Sequence, residues 1–166
     1  PTTPVPRTAP SCRSKSADVY SDWDANLWVA AATLAAVVTC VLVHYEGLNL
    51  LSHRLLRRHE GNPRRKVLFG VFGALGLHVI EIWLFGLVYW GLVLLPGTGS
   101  VSGANPLDLL DAVYLSAMTY TTVGFGDISP IGPLRLVAGT EALVGFVMIT
   151  WSASFMFLEM ERFWRR

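Results

Sequence analysis

Charge is what this sequence has least of. Asp, Glu, Lys and Arg make up 15% of its 166 residues, where soluble domains carry roughly a quarter. The shortage falls in long uncharged runs. Hydrophobic residues reach 52%, and the mean hydropathy is +0.46. That balance excludes an ordinary soluble domain and points to a chain embedded in a membrane. The formal net charge of +1 offers no basic surface for nucleic acid. Cysteine is scarce as well. Cys12 lies in a polar stretch and Cys40 in an apolar run, so neither an intrachain disulfide nor a thiolate metal site is expected. Cys40 reads as a small packing residue. No Asn-x-Ser/Thr acceptor site occurs.

Three apolar runs are present. The first, within 25–45, has no formal charge from 26 to 43 and carries Trp23 and Trp28 at one end and His44-Tyr45 at the other. Its length just crosses a hydrocarbon core of about 30 Å, and the aromatic ends suit the two interfaces. It lacks the repeated arginines of a voltage sensor. The second run, 67–95, is long enough to tilt. Gly70, Gly73 and Gly76 along it permit close helix contact. The third covers 134–158, with Arg135 near its outer end, Glu141 inside it and Pro133 placed to begin it.

The segments between are equally informative. Residues 1–24 are rich in Pro, Ser and Thr and read as a flexible tail without a cleavable signal pattern. Residues 46–66 place Leu48, Leu51, Leu55 and Leu56 on one helical face and Arg54, Arg57 and Arg58 on the rest, before Gly61-Asn62-Pro63 and then Arg64, Arg65 and Lys66. This is either an interfacial helix or a packed amphipathic linker. Its basic cluster places it on the cytoplasmic side, where it can meet anionic lipid headgroups. The N-terminus is then extracellular and the C-terminal tail, 161–166, cytoplasmic.

His78 and Glu81 interrupt the second run at i,i+3. A carboxylate at that depth needs a partner or a proton. A structural polar contact, a proton or metal site, and a water-reaching side chain are the readings open to it. No catalytic or metal-ligand spacing links His78, Glu81 and Glu141, so neither an enzyme nor a cofactor is expected.

The chain is organised around Thr119-Tyr120-Thr121-Thr122-Val123-Gly124-Phe125-Gly126-Asp127. It follows a short apolar helix over 107–118, too short to span, in which Asp108 and Asp111 suit the N-terminal end. Non-helical backbone at membrane depth is tolerated only where it lines water or is buried in protein. Gly124 and Gly126 allow backbone angles closed to other residues. Symmetric copies can therefore stack rings of carbonyl oxygens that replace a cation's hydration shell, with the Thr122 hydroxyl adding a ring below. Alanine at either glycine is expected to do more harm than at Gly132.

The run Thr-Thr-Val-Gly-Phe-Gly-Asp resembles the selectivity filter of tetrameric potassium channels, and 67–160 resembles their pore domain, most strongly over 107–158. The resemblance implies an all-α membrane protein with three transmembrane helices, a short re-entrant pore helix and an extended filter. It implies passive, potassium-selective transport by a homotetramer. Potassium is then held at Thr122, Val123, Gly124, Phe125 and Gly126, with filter support from Thr121, Asp127 and Glu141. It further implies a candidate hinge at Gly145, a cavity lined by Phe146, Ile149 and Ala153, and an inner mouth at Phe157. Phe125 replaces the commoner tyrosine, and Met118 stands where some members carry a buried acid. A weakly selective cation channel and a regulatory subunit of another channel are the alternatives.

Overall fold

The computed structural model describes residues 22–57 and 63–164. The tail over 1–21, Arg58, the Gly61-Asn62 break, Arg165 and Arg166 lie outside them. Three long helices dominate: α1 (Trp23–Arg57), α2 (Pro63–Val93) and, last in the chain, α4 (Leu134–Trp164). Each contains a stretch long and apolar enough to cross a membrane: Trp23–Arg54, Arg64–Val93 and Leu134–Glu161. Between α2 and α4 come strand β1 (Ser100–Ser102), the short helix α3 (Leu109–Tyr120) and strand β2 (Ser129–Ile131).

The packing of α1 follows from its sequence period. Ala25, Val29, Thr33, Ala36, Cys40, His44, Leu48 and Leu51 are all buried. They recur every three or four residues, so they form one stripe along the helix. Most are small, which lets α1 approach α2 and α4 closely. The opposite face, with Leu27, Leu34, Val38 and Leu42, is exposed, as lipid contact requires. The helix runs unbroken to Arg57, so the first part of the expected 46–66 linker continues the first span.

The α1–α2 seam interlocks. A Cβ on Gly47 would come within 2.6 Å of the Leu77 side chain, and one on Gly73 within 2.7 Å of Leu51. A leucine from each helix thus fills a glycine notch on the other. Gly76 was expected to share this role but has no such neighbour within 4 Å.

The two strands refine the all-helical expectation. Ser100, Val101 and Ser102 pair antiparallel with Ile131, Pro130 and Ser129. Gly99 and Gly103 flank β1 at positive φ, and a Cβ on them would lie 2.3 Å from the Ile131 carbonyl oxygen and 2.0 Å from that of Asp127. Only glycine lets the two backbones come so close. The loop after α2 is thereby clasped to the segment that leads into α4.

Candidate functional site

Helix α3 lies against α2 and α4. Its apolar positions Ala112 and Leu115 enter the common core of the bundle. It runs to Tyr120, two residues beyond the expected end at Met118. The chain then leaves the helix without fraying. The Thr121 amide donates to the Ala117 carbonyl (3.2 Å), Thr122 to Thr119 (2.9 Å) and Gly124 to Met118 (3.1 Å). These bonds satisfy carbonyls that a helix end otherwise leaves unpaired. The Thr121 hydroxyl also donates to the Ala117 carbonyl, at 2.6 Å.

Residues 121–127 are all exposed in the single chain. Thr122, Gly124 and Gly126 have φ of 59°, 54° and 80°. Left-handed backbone therefore recurs at every second residue. Thr122 is the only non-glycine residue with positive φ among the described residues, a strained position for a β-branched side chain. Gly132 also has a positive φ, 74°, so alanine strains the backbone there too. The expected contrast between Gly132 and the other two glycines does not arise from backbone strain. Val123 and Phe125 are 53% and 70% exposed, leaving two large apolar side chains uncovered by their own chain.

Asp127 ends the segment. Its Oδ2 accepts a hydrogen bond from the Tyr114 hydroxyl at 2.9 Å. That bond pushes the Tyr114 phenol above its usual ionisation range, so the donor keeps its proton at neutral pH. One polar link thus closes the loop from the first half of α3 to the far end of the segment.

Two buried carboxylates hold α3 from behind. Glu141, on α4, is fully buried. It accepts from Ser116 at 2.5 Å and from Tyr89 at 2.7 Å, joining α4 to α3 and α2. Ser116 also faces the Ile82 carbonyl at 2.8 Å. Glu81, on α2, is fully buried too. Its Oε1 lies 2.7 Å from His44 Nδ1 and its Oε2 3.0 Å from His78 Nδ1, while Tyr120 donates its hydroxyl to Oε2. His44 also lies 3.4 Å from the Ser152 hydroxyl on α4. His44 was read as an interfacial residue. Burial corrects that: its ring closes a polar cluster reaching all four helices.

Gly145 is buried, and a Cβ there would fall 2.1 Å from the Tyr120 carbonyl oxygen. The glycine that the resemblance offers as a hinge is where α4 crosses the end of α3. Phe146, Ile149, Ala153 and Phe157 form an exposed strip along α4. Arg54 and Arg64 are exposed, and Lys66 is half-buried. Tyr89, Tyr120 and Ser116 were not singled out as site residues. Their signal was weak, since a buried hydroxyl is recognised only once its acceptor is known.

This arrangement is that of a membrane channel protein: long apolar helices around a short helix, with an exposed strained segment at its C-terminal end. Residues 67–162 match the ion channel family model, and the chain belongs to that family. The class is not one known for catalysis, and the three apolar helices make it a multi-pass membrane protein. Protein LctB of Geobacillus stearothermophilus is 43% identical over 56 residues, covering 34% of this chain and 42% of that protein. Protein LctB of Bacillus caldotenax is 46% identical over the same length and shares. The inward rectifier potassium channel Kirbac3.1 of Paramagnetospirillum magnetotacticum is 33% identical over 88 residues, covering 52% of this chain and 28% of the channel. The chain thus spans under half the length of these relatives. No solved structure matches it.

Proposed function

We propose that this chain is one protomer of a homotetrameric potassium-selective channel, with 122–126 as its filter. The observation that carries the reading is the alternation of left-handed backbone at Thr122, Gly124 and Gly126 in an exposed segment held at both ends. Such alternation lets successive carbonyls face one axis. Around a fourfold axis they form oxygen rings that exchange for the hydration shell of potassium and pass the ion from site to site. The exposed Val123 and Phe125 then find cover on neighbouring copies. The strip Phe146, Ile149, Ala153 and Phe157 lines the cavity and inner mouth. Similarity to a named potassium channel supports the choice of ion.

In this reading 67–160 is the pore domain, preceded by the extra span and its basic connection. The exposed Arg54 and Arg64 face the cytoplasmic leaflet and attract anionic lipid. Arg57, Arg58, Arg65 and Lys66 belong to the same basic stretch of the sequence. The N-terminus is extracellular and the C-terminus cytoplasmic, by the positive-inside tendency.

The test is reconstitution of the purified chain. Its mass in lipid discs should be that of four protomers, and its reversal potential should follow the potassium gradient against sodium. A conducting monomer or dimer removes the stoichiometry, and a reversal potential indifferent to the potassium–sodium exchange removes the selectivity. Gly132→Ala supplies a control with comparable backbone strain outside the filter. Folded Gly124→Ala and Gly126→Ala tetramers should lose potassium current where folded Gly132→Ala tetramers keep it.

A further inference from the structure

We propose that His44 and His78 form a proton-binding site that controls the foot of the filter, with Glu81 as the positioning residue that passes their charge state to Tyr120. The inference rests on the channel reading above. It gives α1, which lies outside the family match, a part in conduction.

Tyr120 is the last residue of α3, and the next residue opens the exposed segment. It is held at both ends. Its carbonyl is wedged against Gly145 of α4, and its phenol donates to Glu81. The same carboxylate meets His44 at 2.7 Å and His78 at 3.0 Å. With neutral imidazoles, its negative charge is shared among three donors. A proton added to either ring turns one of those contacts into an ion pair. The carboxylate is drawn toward the imidazolium, and its hold on the phenol weakens. His78 Nδ1 is also 3.1 Å from the Tyr120 hydroxyl, so the exchange of partners needs little movement.

The surroundings accept both charge states. The Ser152 hydroxyl, 3.4 Å from His44 Nε2, donates to a neutral ring or accepts from a charged one by turning about its own bond. The Trp151 ring lies with its centroid 5.3 Å from that of His44, within reach of a cation–π attraction once the imidazole is charged. His78 is 14% exposed, which gives a proton its way in. Around the carboxylate, α1 supplies His44 and Cys40, α2 supplies His78, and α3 supplies Tyr120. From α4, Glu141 acts on Cys40 and Tyr120 without touching Glu81. A histidine pair is the natural switch among these groups, since imidazole changes charge between about pH 5 and pH 8.

Two readouts test this on the reconstituted full chain, in bilayers at fixed potassium. The first is the backbone resonances of Thr121 and Thr122 by solid-state nuclear magnetic resonance, between about pH 8 and about pH 5. The second is the potassium current over the same range. In wild type the resonances should shift and the current should change severalfold. The double variant H44Q/H78Q keeps hydrogen-bond donors but cannot hold the proton, so its resonances should stay in place. Y120F keeps the ring and removes only the link, so its filter should ignore pH. Static Thr121 and Thr122 resonances in wild type overturn the inference, as does an H44Q/H78Q filter that shifts as far as wild type. A shifting filter in a chain that carries no potassium current leaves the coupling standing and removes the channel reading instead.

Discussion

The two buried carboxylates make an instructive pair. Glu81 and Glu141 are both fully buried, and both tie α3 to the long helices. Glu141 grips the middle of α3 through Ser116 and braces it with Tyr89. Glu81 grips the end of α3 through Tyr120, and its other partners are His44 and His78. The hydroxyls around Glu141 keep their charge at any neutral pH, whereas imidazoles do not. A buried carboxylate is costly unless its partners satisfy it, and both are satisfied. The difference lies in the partners, hydroxyls alone around Glu141 and two imidazoles beside a phenol around Glu81. The imidazole cluster includes Tyr120, the residue before the exposed segment.

The sharpest way to break this comparison is to delete each acceptor. Glu81→Ala leaves His44, His78 and Tyr120 without their common partner. Only His78 and Tyr120, 3.1 Å apart, can then bond to each other, and loss of the shared buried acceptor should cost about 4 kcal/mol. Glu141→Ala removes the acceptor of the Tyr89 hydroxyl, which keeps Thr119 beside it, and Ser116 still has the Ile82 carbonyl at 2.8 Å. That loss should come to about 2 kcal/mol. Thermal unfolding of the purified chain in detergent measures both. Equal losses would mean that the histidines do not depend on Glu81 as the geometry implies.

Between these two in size comes Gly145→Ala. The added methyl meets the Tyr120 carbonyl oxygen at 2.1 Å, and two backbones, not a flexible side chain, must separate. Overpacking of this kind costs about 3 kcal/mol. The same unfolding assay should place it between the two carboxylate deletions. A hinge alone would predict altered opening with unchanged stability, so a Gly145→Ala chain as stable as wild type would argue for the hinge and against the wedge.

The two clusters also mark how far the sequence could be read. The three spans were legible because apolar runs near the bilayer's length announce themselves. The short helix and the exposed segment were legible because Gly124 and Gly126 break the pattern between two such runs. What escaped was pairing across distance. His44 and Glu81 are 37 residues apart, and Tyr89 and Glu141 are 52 apart. No local period records such contacts. His44 near the end of an apolar run looked like an interfacial residue, but it occupies the buried stripe that also holds Cys40 and Leu48. Only the angle around the helix separates those two readings. Gly132 was missed for the same reason. Its positive φ is imposed by the turn between β2 and α4, and a glycine's sequence neighbours do not declare its backbone angle.

The smallest effect is expected at the other end of the segment, where the comparison turns from buried to exposed. The Tyr114–Asp127 bond has the geometry of the buried links, at 2.9 Å, but water competes for both partners. Tyr114→Phe should therefore lower stability less than either carboxylate deletion, since an exposed hydrogen bond is largely replaced by solvent. The sign of its pH dependence follows from the bond. Asp127 raises the Tyr114 ionisation in the folded chain, so folding favours the protonated phenol. The contribution is fully present below the unfolded value of about 10 and is lost as pH rises through the raised folded value. Wild type and Tyr114→Phe should differ by a constant amount at neutral pH and converge in alkali. A gap that widened on making the solution alkaline would mean that the phenol and Asp127 are not hydrogen-bonded in the assembled protein. The exposed end of the segment would then be held by something other than this link.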